Sequence, residues 1–185
     1  MRKVKWFPPI IFVLIFGLIF GCTLSSPKGN LSVLLTDWPI LDKEVTAVNI
    51  KVTKVEVRQI AEENDDAGWI PITLSEPSEE FNLLELQNGI TTPLADADIP
   101  VGTYTELRLH VIEENTIEFK DDETRFTLKI PSGTSSGIKI KYTFTISESG
   151  WTVITLDFDA QQSVKAVGDG DDAEYQLHPV IRVKE

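Results

Sequence analysis

Cysteine, histidine and methionine are almost absent from this 185-residue chain, which holds one cysteine, two histidines and one methionine. One cysteine excludes a disulfide framework, and two histidines exclude a metal site built from several imidazoles. His110 and His178 have no sequence neighbours suited to metal binding, so a structural role is expected for both. The sequence also lacks internal repeats, heptads and convincing amphipathic helices, which favours β-structure.

Positive charge is scarce as well: 17 Lys and Arg residues against 29 Asp and Glu residues give a formal net charge of −12. A chain this acidic is repelled by phosphate backbones, so nucleic acid is not an expected partner. The acids are spread over several predicted turns, residues 61–68, 120–124 and 168–173 among them. That spread indicates solvation of turns and not one dedicated site.

The longest apolar run lies at the N-terminus. Arg2, Lys3 and Lys5 precede a run over residues 10–20, a pattern typical of a signal peptide. The run is shorter than the stretch of about 20 apolar residues that a spanning helix needs. The sole cysteine, Cys22, follows at once, and residues 18–22 (LIFGC) resemble the lipobox of bacterial lipoproteins. The alternative is an ordinary secretory signal followed by an accidental cysteine.

These features predict three segments: a lipoprotein signal peptide over residues 1–21, a lipidated Cys22 with a polar tether over 22–30, and one domain over 31–185. We expect secretion across the inner membrane and retention in the cell envelope through the lipid anchor. Thr23, not an aspartate, follows the cysteine. This resembles lipoproteins sent to the outer membrane, which is the favoured location if the host has one.

Alternating apolar and polar residues predict strands in the second half of the chain. The period of two runs over residues 138–146 and resumes over residues 154–159, and the polar residues 147–150 between them are typical of a hairpin loop. Earlier, Val48, Ile50 and Val52 share one parity, while Val55 and Val57 take the other. That change predicts a bulge near residues 53–54, or a strand that bends from one sheet to another.

About nine short strands follow from turn signals at intervals of 8–12 residues. This pattern predicts an all-β domain, a two-sheet antiparallel β-sandwich. A hairpin is expected around residues 120–124 and a short helix within 93–97, while residues 81–86 suit either a strand or one helical turn. Pro71 and Pro179 favour edge positions, because proline cannot donate to a strand ladder.

Three tryptophans and two aspartates are the candidate site residues. Trp38, Trp69 and Trp151 each lie beside a turn signal, where an indole either caps the core or binds a sugar or a protein partner. Asp157 and Asp159 lie two apart on a predicted strand, so their carboxylates would share one face about 7 Å apart. Such a pair suits a structural role, a calcium ion or, with further partners, catalysis. Two acids alone assign no catalytic residue.

Several phrases also agree, in order and spacing, with a known family. The chain resembles the uncharacterised prokaryotic lipoprotein domain known as domain of unknown function 4382, over roughly residues 31–183. The phrases are LLTDxP at 34–39, VTKVEV at 52–57, GW at 68–69, NLLxLxNG at 82–89, IPxGxYxxLRL at 99–109, PSGxxxGIK at 131–139, DFDAxxSV at 157–164 and LxPVIR at 177–182. The resemblance implies a membrane-tethered β-sandwich of immunoglobulin-like or transthyretin-like type. It brings no catalytic residues.

Taken together, these patterns predict a non-enzymatic, lipid-anchored binding or scaffolding module of the cell envelope. Its expected partners are the membrane, through the anchor on Cys22, and an unknown envelope protein or glycan. The alternative is a carbohydrate-binding module, calcium-assisted, that would use the three tryptophans with Asp157 and Asp159. No cofactor is expected, with a calcium ion as the alternative.

Overall fold

A computed structural model of the chain describes residues 26–38, 44–60, 68–75, 80–120, 122–131, 136–168 and 173–184. The predicted signal peptide, Cys22 and the start of its tether lie outside the described residues, as do most of the acidic turn residues 61–68 and 168–173. The described residues form the following elements: β1 (Lys28–Thr36), β2 (Val45–Gln59), β3 (Trp69–Leu74), β4 (Glu80–Asn82), a 3-10 turn (Leu83–Leu86), β5 (Thr92–Pro100), β6 (Gly102–Val111), β7 (Asn115–Phe119), β8 (Asp122–Lys129), β9 (Ile138–Ile146), β10 (Trp151–Phe158), α1 (Ala160–Ser163), β11 (Val164–Val167), β12 (Glu174–Leu177) and β13 (Ile181–Lys184).

The strands form one curled, half-barrel sheet. Its order is β11-β12-β8-β7-β2-β3-β5-β1-β10-β13, with β4 beside β2 and with β6 joining β2 to β9. The all-β prediction is therefore confirmed. The predicted arrangement of two separate sheets with about nine strands was too simple, because thirteen strands lie in one hydrogen-bonded network.

Strand β2 connects the two parts of this network. Its first half pairs with β7 and β4, and its second half pairs with β3 and β6. The register with β6 shifts between Val52 and Lys54, and Thr53 and Lys54 are exposed between buried valines. The predicted bulge near residues 53–54 is thus confirmed. The alternative, a strand that bends from one sheet to another, does not apply, because β2 lies within one hydrogen-bonded network.

The hydrophobic core lies on the inner side of the curled sheet. Strand β1 supplies Leu31, Val33 and Leu35, all fully buried, and β10 packs beside it in parallel with Ile154, Leu156 and Phe158 inward. A parallel pair cannot be closed by a short turn, and some 110 residues separate these two strands in sequence.

The hairpin predicted over residues 138–158 was wrong in its pairing, although both strands exist. Strand β9 pairs with β6, whereas β10 pairs with β1 and β13. Residues 147–150 therefore lead from one part of the sheet to another. The alternating pattern identified the buried face of each strand, which does not depend on which neighbour the strand has.

Most other local predictions have clear outcomes. The hairpin around residues 120–124 is confirmed by the antiparallel pair β7–β8. Residues 81–86 contain both alternatives, a short strand and a 3-10 turn, whereas the helix expected within 93–97 was wrong because β5 covers that segment. Pro71 pairs only with β2, as an edge position requires, and Pro179 lies outside the strands, between β12 and β13. Within the described residues, no helix is long and apolar enough to cross a membrane.

Candidate functional site

The outer face of β2, β3, β6 and β9 carries a regular array of charged side chains. Cross-strand partners project from the same face of a sheet, so the strand register defines three adjacent rows. We call these rows the charged ladder: Lys54–His110, then Pro71–Glu56–Arg108–Lys139, then Trp69–Arg58–Glu106–Lys141.

Two buried glutamates, Glu56 and Glu106, form ion pairs with the cations of the ladder. Glu56 is 6% exposed, and its carboxylate lies 2.5 Å from Lys54 Nζ, 2.8 Å from His110 Nε2 and 3.9 Å from Arg108. Burial alone would raise the pKa of Glu56, but its hydrogen bonds to Lys54 and His110 and their charges lower it below its usual value. Glu56 is therefore a charged and well-paired centre of the ladder.

Glu106 and Trp69 complete the array. Glu106 is also buried and lies 2.8 Å from Arg58. The half-buried Trp69 ring receives the Arg108 guanidinium on its face, 3.8 Å from the ring centroid, with Arg58 at 5.6 Å. Such stacking fixes the long arginine side chains by a cation–π attraction. Arg108 Nε is buried and has no hydrogen-bond partner among the described residues.

The ladder carries the opposite charge from the chain as a whole. Among its described residues, five permanent cations face two carboxylates, an excess of three positive charges in a protein of formal net charge −12. Lys139 and Lys141 are exposed. Lys141 lines a groove of about 520 Å³ together with Arg58, Glu106 and Thr143. This arrangement can bind an anion, because the fixed arginines and free-ended lysines both donate charge-assisted hydrogen bonds.

A second cluster, of aspartates, lies at the end of the parallel pair β1–β10. Asp37 is 3% exposed and accepts hydrogen bonds from Ala160 N at 2.9 Å and from Gln87 Nε2 at 3.3 Å. Burial raises the pKa of Asp37 to about 7, and the charges of Asp157 and Asp159 add smaller increases. The two hydrogen bonds lower this pKa, but they do not offset the effect of burial. Asp37 thus ties α1 and the 3-10 turn to the end of β1.

The prediction that Asp157 and Asp159 lie on one strand was wrong for Asp159, because β10 ends at Phe158 and Asp159 caps α1. Asp157 lies within β10. Burial is the main cause that raises its pKa above the usual value, and the charge of Lys184 partly offsets this by lowering it. Asp159 follows the strand, is buried, and caps α1 by accepting from Gln162 N at 2.9 Å and from Gln162 Nε2 at 2.5 Å. Both oxygens of Asp159 are therefore used in structure. In the described part of the chain, no group of three or more His, Cys, Asp or Glu side chains is placed to hold a metal ion.

The three candidate tryptophans do not share a surface. Trp38 is 56% exposed just beyond the end of β1, and Trp151 is 77% exposed at the start of β10. Because β1 and β10 run parallel, with Asn30 opposite Trp151 and Thr36 opposite Asp157, about 20 Å of strand separates the two levels. Trp69 lies on the charged ladder instead.

One apolar cleft lies elsewhere, between β2, β7, α1 and β12. It measures about 290 Å³ and is lined by residues that include Val48, Ile117, Phe119, Ala160 and Tyr175. No charged side chain lines it.

The family model described as Domain of unknown function (DUF4382) matches residues 28–179. The chain belongs to this family. The resemblance noted in the sequence is thereby confirmed, and both the charged ladder and the aspartate cluster lie within this DUF4382 domain. No curated protein and no solved structure matches the chain.

We predict that Glu56→Gln destabilises the DUF4382 domain by roughly 2–3 kcal/mol at pH 7, because Lys54 and Arg108 lose a buried counter-charge and the contact with His110 is weakened. The measurement is urea denaturation. Glu114→Gln is the matched control, because Glu114 pairs with Lys51 at 3.3 Å but its side chain is 76% exposed. Its loss is expected to stay below about 1 kcal/mol. Equal small losses for both variants would contradict a buried role for Glu56.

We also predict that Asp37 makes stability fall as pH rises. A carboxyl group whose folded pKa is raised binds its proton more tightly in the folded state. Its stabilising contribution is complete below pH 4 and is lost as pH rises to about 7. Asp37→Asn removes this loss, so the variant should gain roughly 2–4 kcal/mol over the unsubstituted domain between pH 4 and pH 8.

The measurement for Asp37 is the free energy of unfolding across this pH range for both proteins. Asp98→Asn, at an exposed aspartate, is the control for removing one negative charge. Parallel curves for Asp37→Asn and the unsubstituted domain would show that burial of Asp37 has no such effect.

Proposed function

We propose that this DUF4382 protein is a non-enzymatic, lipid-anchored binding module of the cell envelope. In this proposal the chain is secreted across the inner membrane and is held by acyl chains on Cys22, in the outer membrane if the host has one. The observation that carries the binding function is the charged ladder, an excess of positive charge on one face of an acidic protein.

The proposed ligand is an anionic chain of the envelope, a glycan that carries carboxylates. The protein as a whole repels such a polymer, so attraction is confined to the ladder and the polymer is directed to that face. Exposed Lys139 and Lys141 would make the first contacts. Arg58 and Arg108, oriented by Trp69 and the buried glutamates, would supply directional hydrogen bonds.

The absence of an enzymatic activity is part of the proposal. Glu56 and Glu106 are paired with cations, and Asp37 and Asp159 accept structural hydrogen bonds. In this proposal these carboxylates support the fold through their ion pairs and hydrogen bonds, and none of them acts as an acid or base.

The finer fold assignment, an immunoglobulin-like or transthyretin-like sandwich, is likewise proposed. Tyr104 is fully buried, stacks on Phe144, and donates its hydroxyl to the Pro100 carbonyl at 2.7 Å, four residues upstream. A buried tyrosine with this bond is typical of immunoglobulin-like domains. This contact supports the immunoglobulin-like alternative.

A second candidate function is carbohydrate binding, calcium-assisted, through tryptophan and aspartate. Exposure of Trp38 and Trp151 favours it, and so does Asp157, whose Oδ1 is buried with no hydrogen-bond partner among the described residues. Trp38 lies beside this aspartate, since its backbone N–H bonds the Asp157 carboxylate. A neutral sugar bound in a calcium-dependent manner would favour this candidate.

We predict that Lys139→Glu with Lys141→Glu weakens binding to polygalacturonate, a carboxylated model glycan, by about tenfold or more at low salt, because the ladder's excess charge is reversed. Sedimentation with the polymer measures it. Lys120→Glu with Lys165→Glu makes the same charge change at exposed sites outside the ladder and should alter binding less than about twofold. Equal effects of the two pairs, or equal binding to neutral dextran, would contradict the ladder as the site.

The anchor is tested separately. Cys22→Ala should abolish the acyl mass increment and move the protein from the membrane fraction to the soluble fraction, because the three acyl chains of such a modification bind far more strongly than one. Thr23→Ala is the control and should remain acylated. Retention of Cys22→Ala in the membrane fraction would overturn the anchor.

A further inference from the structure

The tether enters the domain at one defined end. Val101 N donates to the Pro27 carbonyl at 3.0 Å, Ser149 N donates to the Lys28 carbonyl at 3.0 Å, and Asn30 N donates to the Gly150 carbonyl at 2.8 Å. We call this the anchor end, formed by residues 27–30, 59–60, 101–103 and 146–151. Gly29 is buried within it, and a side chain there would overlap the carbonyl oxygen of Ser147. The start of β1 is therefore packed closely against the domain.

The sequence allows little distance between this end and a lipidated cysteine. Five residue steps connect Cys22 to Pro27. Even fully extended, they reach at most about 18 Å. An acylated Cys22 would therefore hold the anchor end close to the lipid head groups.

The same end carries the most exposed apolar side chains of the described residues. Trp151 is 77% exposed and lies opposite Asn30 in the parallel pair, and Val153, 59% exposed, follows on the same face. Ile60 is 64% exposed, and its N–H bonds the Thr103 carbonyl, two residues from Val101. In contrast, Trp38 and Ile90 mark the opposite end, where Thr36 Oγ1 donates to the Ile90 carbonyl.

We propose that the anchor end rests on the bilayer and that Trp151, with Val153 and Ile60, inserts into the lipid interface. The inference rests on the proposed lipidation of Cys22. Tryptophan is favoured at membrane interfaces because its ring is apolar while its N–H still reaches a polar partner. Strands β1 and β10 then rise from the membrane, and Trp38 stands about 26 Å or more above the level of Lys28.

The charges at this end indicate which lipids it suits. Lys28 and Glu148 are both exposed there, so the two described charges among the residues of this end offset each other. The contact is therefore apolar in character. It should be insensitive to salt on zwitterionic lipid.

The test uses the full acylated protein in phosphatidylcholine vesicles whose acyl chains carry bromine, which quenches nearby tryptophan. The unsubstituted protein should show lipid-dependent quenching, and Trp151→Phe should abolish it. Trp38→Phe is the matched control, since it removes an exposed tryptophan from the opposite end, and it should leave the quenching unchanged. Because Trp151 is so exposed, the fold of the variant should be intact, as checked by circular dichroism.

Two failures can be distinguished. If mass spectrometry finds no acyl group on Cys22, the anchor and this inference both fall. If the protein is acylated and floats with the vesicles but Trp151 is not quenched, the interface contact alone is overturned, and the binding module stands. Shielding of Trp151 from aqueous quenchers without quenching by bromine would mean that another protein copy covers it, which would also overturn the contact.

Discussion

The structure depends on one strand that changes partners halfway along its length. In the first half of β2, the even-numbered residues Val48, Ile50 and Val52 point into the core. After the bulge at Thr53 the odd-numbered residues Val55 and Val57 point inward, because one extra residue reverses the alternation. Strand β2 pairs with β7 and β4 before this bulge and with β3 and β6 after it, which makes the curled sheet continuous.

The bulge also creates the charged ladder. Without it, Lys54, Glu56 and Arg58 would continue the parity of Val52 and would be directed into the core, where unpaired charges are costly. With it, they face outward opposite His110, Arg108 and Glu106. One backbone irregularity therefore keeps the valines of β2 in the core while its charged side chains lie on a face whose charge opposes that of the chain. The anchor end and the ladder are separate parts of the domain, since the first contains the start of β1 and the second lies on the outer face of β2, β3, β6 and β9.

Sequence patterns predicted the strands better than their neighbours. Residues 138–146 form a strand as the alternation predicted, and the second strand lies after the turn as predicted, although it ends at Phe158 and not at Asp159. The parity change in β2 was visible from its valines alone. Pairing was not visible, because β10 finds its parallel partner β1 more than a hundred residues earlier and periodicity carries no information on such contacts. The ladder and the buried Asp37 were missed for this reason: each is formed by residues from distant strands or turns. The tryptophans were located beside turns, yet only the structure separates Trp69, on the ladder, from Trp38 and Trp151 at opposite ends.

The most direct test of the ladder as a binding face is an NMR titration of the isotope-labelled domain with polygalacturonate. The ladder predicts that chemical shift changes cluster at the indole N–H of Trp69, the side chains of Arg58 and Arg108, and the backbone around Lys139 and Lys141. Shifts centred on Trp38 or Trp151 would place the ligand elsewhere, and a spectrum without changes at saturating polymer would show that the ladder does not bind such a chain.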